Sequence, residues 1–169
     1  MKLSRPARRA LLVLHLVSAG AWIGIDVMVA VLVLTGRFAA DVALRSLAYR
    51  ALAAFVTLPM LVSGLVCLAT GVVLGLGTKW GLVRYWWVAV KLVLNVVLCA
   101  LILVVLQPGM DEVGAYGEDL LTGNPPAGRV SDLFFPPAVS LTCLTFATVL
   151  SVAKPWGRRQ RTPRPAKAA

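Results

Sequence analysis

The sequence is poor in charged residues and in the side chains that usually carry enzyme chemistry. Only 14% of its 169 residues are charged, seven are acidic, and a single one is histidine. Its three cysteines show no CxxC or other paired spacing, which argues against a disulfide framework and against a zinc site. The sequence also contains no phosphate-binding loop, hydrolase triad or cluster of metal ligands. Hydrolysis, kinase chemistry and zinc catalysis are therefore disfavoured.

Apolar residues, in contrast, are present in excess. They make up 59% of the chain, against about 45–50% in soluble domains. A helix of about 20 residues crosses the hydrocarbon core of a bilayer, and lipid offers no partner for an unpaired backbone group. We therefore predict an all-α fold, a polytopic membrane protein built as a four-transmembrane-helix bundle. The predicted spans are residues 10–34, 51–76, 86–106 and 135–152.

The positive charges indicate how the bundle is oriented. Twelve of the 17 lysine and arginine residues fall in residues 1–9, in the loop 77–85 and in the tail 154–169, whereas four fall in the opposite loops. Five of the seven acidic residues fall in residues 107–132. By the positive-inside rule, both termini are cytoplasmic and 107–132 is an acidic outer loop of the four-helix domain 10–153. Its segment "DEVGAYGEDLL" could form a short surface helix, but its glycines disfavour one.

The net charge of +10 has an explanation in the membrane. The tail 154–169 holds six cations and three prolines, so we expect it to be disordered and to lie against anionic lipid, at about 1 kcal/mol per cation. Its basic residues do not alternate with aromatic ones on a folded face, which disfavours a nucleic-acid partner. The first apolar run exceeds the roughly 7–15 residues of a signal-peptide core, so we expect a true span there.

The second span carries small residues on one face and a proline. Gly64 and Gly71, with Gly75 and Cys67 nearby, predict that a neighbouring helix approaches this face closely. Pro59 predicts a kink in the same helix.

The first span carries a polar stripe inside an apolar run, "LHLVSAGAWIGID". At 100° per residue, the seven steps from His15 to Trp22 and the eleven steps to Asp26 both return to within about 20° of one direction. Ala19, which is small and lies beside these three residues, leaves room around their side chains. Because polar groups in lipid are costly, we expect this stripe to face the interior of the bundle.

The third span has a second stripe at a matching depth, formed by Lys91 and by Asn95 one turn later. Lys91 lies five residues from the cytoplasmic start of its span at Trp86, and His15 lies five residues from Ala10. Both would sit about 7–8 Å below the inner boundary of the membrane. We therefore predict that the imidazole and the amine share one layer of the bundle.

Three interpretations of this layer are open. A neutral imidazole can ligate haem iron between facing helices, and a lysine can pair with a propionate or serve as a second ligand. His15, Lys91 and Asp26 could instead be stations on a proton or ion path. In the third interpretation, Lys91 snorkels to the interface and His15 makes one bond between helices. The aromatic segment "KWGLVRYWW", residues 79–87, is typical of an interfacial aromatic belt.

A family resemblance rests on these residues. His15 early in the first span, Trp22, and "KWGLVRYWWVAVK" leading to Lys91 resemble a family of bacterial four-helix integral membrane proteins described only as a domain of unknown function. The pattern is similar, more distantly, to the membrane-bound protoporphyrinogen oxidase family, which binds b-type haem, and to the copper-resistance D membrane domain. The resemblance covers residues 10–106. It implies that His15 and Lys91 are tied to haem and activity, with Trp22 as a supporting match.

The leading hypothesis is a multi-pass protein of the bacterial cytoplasmic membrane that binds haem b or a porphyrin through His15 and Lys91, with His15 as the iron ligand. A second hypothesis is a non-catalytic accessory subunit that contacts a protein partner or a second copy of itself through its helices. A third is a proton or metal-ion carrier that uses His15 and Asp26. Whether the protein is an enzyme stays open.

Overall fold

The computed structural model of the chain describes residues 3–77, 85–124 and 130–153. These residues are about 93% helical and contain no β-strand, which confirms the predicted all-α class. The basic tail predicted at 154–169 lies outside the described residues, as do residues 79–84 of the aromatic segment.

The first helix, α1, spans Arg5–Phe38 and is longer than the predicted span 10–34. Its start is capped by Ser4, whose side-chain oxygen accepts a hydrogen bond from the backbone N–H of Ala7. A proline in the first turn is compatible with this start because that turn has no internal partner for its N–H. The 34 residues of α1 extend for about 51 Å.

Two helices replace the second predicted span, 51–76. Pro59 has no N–H to donate to the carbonyl of Phe55, four residues earlier, and the chain turns at Val56. Pro59 was predicted to kink a single helix. In the structure it lies in the first turn after a break between two helices. These helices are α2, Val42–Phe55, and α3, Thr57–Gly77.

The third predicted span continues beyond its expected end at residue 106. It consists of α4, Trp86–Leu101, a π-helical segment, Ile102–Leu106, and α5, Gln107–Thr122. In the π-helical segment, the N–H of Gln107 bonds to the carbonyl of Ile102, five residues earlier. The next residue, Pro108, lacks an N–H and its ring would clash with the carbonyl of Val104, so the wider turn accommodates the proline.

Residues 107–122 are thus helical, whereas the sequence analysis described 107–132 as an acidic outer loop. The glycines of this segment lower its intrinsic helix propensity. However, Met110, Val113 and Gly117 are buried on one face, at spacings of three and four residues. Packing of this face against the rest of the protein stabilises the helix despite its weak intrinsic helix propensity.

The partner of α5 is α2. A Cβ atom on Gly117 would lie 2.9 Å from Cγ of Arg50 and 3.0 Å from the main-chain oxygen of Ser46. Directly beside this contact, the rings of Tyr49 and Tyr116 meet edge to face with centroids 5.1 Å apart. The glycine that weakens α5 as an isolated helix is therefore required for its contact with α2.

A short 3₁₀ turn, Ser131–Phe134, leads into the last helix, α6, Phe135–Ala153. The helices α2, α3 and α6 all pack against α1, and α4 packs against α3 and α6. Four helical stretches in the described part of the chain are long and apolar enough to cross a membrane, in agreement with the number of predicted spans. They are Arg5–Phe38, Thr57–Gly77, Trp86–Thr122 and Ser131–Ala153.

The outer surface of this bundle is more apolar than that of a soluble protein. Large apolar side chains are exposed on its outside, among them Leu16 and Val17 on α1 and Val104 in the π-helical segment. Trp22 and Asp26 have 0% of their surface exposed. A soluble domain rarely exposes so much contiguous apolar surface.

Candidate functional site

The polar stripe of α1 faces the interior of the bundle, as its position on the helical wheel predicts. His15 is half-buried, and Ser18, Trp22 and Asp26 are buried. The stripe is continuous because these four residues follow one another at spacings of three, four and four residues. Ser18, which the sequence analysis did not single out, donates its hydroxyl proton to the main-chain oxygen of His15 at 3.0 Å.

The imidazole of His15 is held by α3 through one ring nitrogen. Nδ1 lies 3.0 Å from the main-chain oxygen of Cys67 and 3.0 Å from Oγ1 of Thr70. Thr70 directs its own hydroxyl to carbonyls of α3, with Val66 O at 2.7 Å and Cys67 O at 3.1 Å. Because the threonine proton is used there, the hydrogen-bond network assigns a proton to Nδ1, which donates to these oxygens. Nε2 then keeps its lone pair.

The small face of α3 makes room for the α1 stripe, as the glycine pattern predicts. A Cβ atom on Gly71 would lie 3.2 Å from Cε1 of His15, and one on Gly64 would lie 2.9 Å from the ring of Trp22. The second position also faces α4, since Sγ of Cys99 would be 3.0 Å away. Both aromatic rings of the stripe therefore pack where α3 has no side chain.

Lys91 reaches the same region from α4. Its Nζ donates a hydrogen bond to Oγ of Ser151 on α6 at 2.8 Å and lies 4.8 Å from the ring centroid of Trp87. The ammonium is also near enough to act electrostatically on His15 and on Cys67. The structure thus places Lys91 within electrostatic range of His15, with the imidazole anchored to α3 and the amine to α6, and we call this region the His15 layer.

Asn95 and two cysteines extend this layer along α3 and α4. The thiol of Cys99 donates to Oδ1 of Asn95 at 3.5 Å, and the side chains of Asn95 and Ser18 both lie close to the thiol of Cys67. Sγ of Cys67 is also 3.7 Å from Nδ1 of His15. Cys67 lies three residues from Gly64 on the small face of α3, and this spacing is the sequence signal that could have linked it to the stripe.

Trp22 and Asp26 lie further along α1 than this layer. Seven residues separate Trp22 from His15, or about 10 Å along the helix. The Trp22 ring closes the layer on that side, and Asp26 instead contacts α6, where its Oδ2 accepts a 2.6 Å hydrogen bond from Oγ of Ser140. Of the predicted site residues, His15, Lys91 and Asn95 belong to the layer, and Asp26 belongs to a separate contact.

A cavity of about 160 Å³ lies at the far end of the bundle, between α1, α2 and the turn that leads into α6. Arg37 and Tyr49 help to line it, and its lining contains no histidine or cysteine. Within the described part of the chain, no three His, Cys, Asp or Glu side chains are grouped as metal ligands.

Comparisons of the chain with protein-family models, with curated proteins and with solved structures find no match. The class of protein is therefore defined by the fold and the site alone. It is an α-helical bundle with four potential membrane spans and an internal layer of one imidazole, one amine and two thiols.

Proposed function

We propose that the chain is a multi-pass protein of the bacterial cytoplasmic membrane with both termini in the cytoplasm. Its apolar exterior supports insertion in lipid, and the polar stripe of α1 faces inward, as expected because lipid-facing polar groups are costly. The orientation is supported by the twelve lysine and arginine residues near the termini and in the loop 77–85, against four in the opposite loops.

This orientation predicts opposite results for two reporters. A green fluorescent protein fused after Ala169 should fluoresce, because it matures when it stays in the cytoplasm. Alkaline phosphatase inserted after Gly123, an exposed residue at the end of α5, should be active, because that enzyme folds outside the cytoplasm. The two reporters exchanged between these positions serve as controls. A fluorescent insertion at Gly123 with an active phosphatase at Ala169 would contradict the orientation.

We further propose that the bundle binds haem b or a related porphyrin at the His15 layer. The observation that carries this proposal is the pair of 3.0 Å contacts of His15 Nδ1 with Cys67 O and Thr70 Oγ1, which assign the proton to Nδ1 and leave Nε2 available as a ligand. Metal-ligating histidines are generally oriented in this way by a hydrogen bond on their other nitrogen. When bound, a haem would supply an iron whose reactivity depends on its axial ligand and on the pocket around it.

The other residues of the layer fit the periphery of such a ligand. Lys91 contributes a positive charge beside His15, which could pair with a propionate carboxylate. Trp22 is fully buried at one side of the layer and would exclude water and lipid there. Each of these residues would bind or orient the porphyrin, and His15 alone would touch the metal.

The test is the visible spectrum of protein purified in mild detergent after expression with haem supplied. We expect a Soret band in the wild type and its loss in His15→Gln, because the glutamine amide can still donate to Cys67 O but is a poor ligand for haem iron. Cys143→Ala, a change on α6 outside the layer, is the control and should keep the band. A wild type without a Soret band, or an unaltered band in His15→Gln, would refute haem binding at this site.

A further inference from the structure

Asp26 is a buried carboxyl group that the haem proposal does not use. It is 0% exposed, and its Oδ2 accepts the 2.6 Å hydrogen bond from Ser140 on α6. Its Oδ1 has no hydrogen-bond partner among the described residues. One turn earlier on the same face, the Nε1–H of Trp22 is equally buried and also lacks a described partner. Buried polar atoms without partners are rare in native structures and call for an explanation.

The charge of an ionised Asp26 is not balanced by its surroundings. The helices α2, α3 and α6 pack against α1, yet Ser140 is the one side chain among the described residues that acts on this carboxyl. Ser140 is uncharged and contributes a single donor. In an apolar interior, an ionised carboxylate with so little compensation is strongly disfavoured, so the group requires either a proton or a bound cation.

The oxygen atoms available at Asp26 favour the binding of a proton over that of a metal cation. Hard divalent cations require about six to eight oxygen ligands in proteins. Within the described residues, the carboxylate of Asp26 and the hydroxyl of Ser140 are the side-chain oxygens in contact here. A proton needs a single carboxylate oxygen, and Oδ1 supplies one.

We propose that Asp26 is an internal proton-binding site whose proton exchanges with the aqueous phase. Burial favours the protonated carboxyl, whereas the O–H of Ser140 is a donor that can stabilise the ionised form. Two opposed influences of this kind allow the group to bind a proton and to release it. The site lies eleven residues beyond His15, about 16 Å along α1, so it is separate from the porphyrin layer.

Infrared difference spectroscopy on the full chain in detergent, without added haem, tests this proposal. We expect a C=O stretching band of a protonated carboxyl group that loses amplitude as the pH rises and shifts in frequency in D₂O. The band should disappear in Asp26→Asn. It should persist in Asp41→Asn, because Asp41 is an exposed carboxylate that caps α2.

Ser140→Ala provides a second variant in case Asp26→Asn fails to fold. Removal of the hydroxyl donor takes one hydrogen bond from the ionised form, so the titration midpoint of the band should rise by about one to two pH units. The absence of the band from the wild type, a band that neither titrates nor exchanges in D₂O, or a band that survives in Asp26→Asn would overturn the proposal. An unchanged midpoint in Ser140→Ala would also count against it.

Discussion

Replacement of Trp22 by alanine is expected to lower the free energy of unfolding by about 2–4 kcal/mol. The indole is 0% exposed and packs where α3 has only Gly64, so its removal leaves a cavity between α1 and α3. Lipid is as apolar as the bundle interior, so the loss of packing accounts for most of this cost. Denaturation in mixed detergent micelles, followed by circular dichroism, measures the difference.

Trp86→Ala is the matched control, because Trp86 is 48% exposed in the first turn of α4. We expect a loss of less than about 1 kcal/mol there, since no comparable cavity forms. Equal losses in the two variants would show that the Trp22 ring is not packed in the interior as described.

Replacement of Thr70 by valine is expected to weaken porphyrin binding about 10- to 100-fold, the usual effect of losing a group that orients a metal ligand. Valine has nearly the same shape but removes the Thr70 oxygen, which leaves Nδ1 of His15 with the main-chain oxygen and the more distant sulfur of Cys67. The imidazole would then be oriented less firmly. Titration of the purified protein with haem, followed at the Soret band, measures the affinity.

Thr148→Val on α6 is the control for this experiment. The Thr148 hydroxyl donates to the carbonyl of Leu144 four residues earlier, just as that of Thr70 donates to Val66, but Thr148 has no bond to His15. The control variant should therefore bind haem as the wild type does. If Thr70→Val also keeps wild-type affinity, the hydrogen bond to Nδ1 is not what positions the ligand.

The number of spans and the inward side of α1 could be predicted from the sequence because both depend on local periodicity. A run of about 20 apolar residues indicates a potential span on its own, and 100° per residue places His15, Trp22 and Asp26 on one face. The shared layer of His15 and Lys91 was predicted by a depth argument that needs only the starting points of two helices. An electrostatic influence of Lys91 on His15 agrees with it.

The helix at 107–122 shows where local reasoning fails. Gly117 and Pro108 argue against a helix in isolation, and the sequence does not reveal that Gly117 lies against α2, more than 60 residues earlier. The spacing of Met110, Val113 and Gly117 was a signal for one buried helical face, but it is short. The propensity of a segment is a weak guide when a distant partner supplies the packing.

The sequence by itself determined the all-α class, the four stretches able to cross a membrane and the polar stripe of α1, because hydropathy and helical period are properties of neighbouring residues. Tertiary structure alone decided which atoms meet: Nδ1 of His15 with Thr70, Lys91 with Ser151, and Asp26 with Ser140. These pairs are 55, 60 and 114 residues apart. Helix packing brings such distant donors and acceptors together, and no local pattern in the chain specifies it.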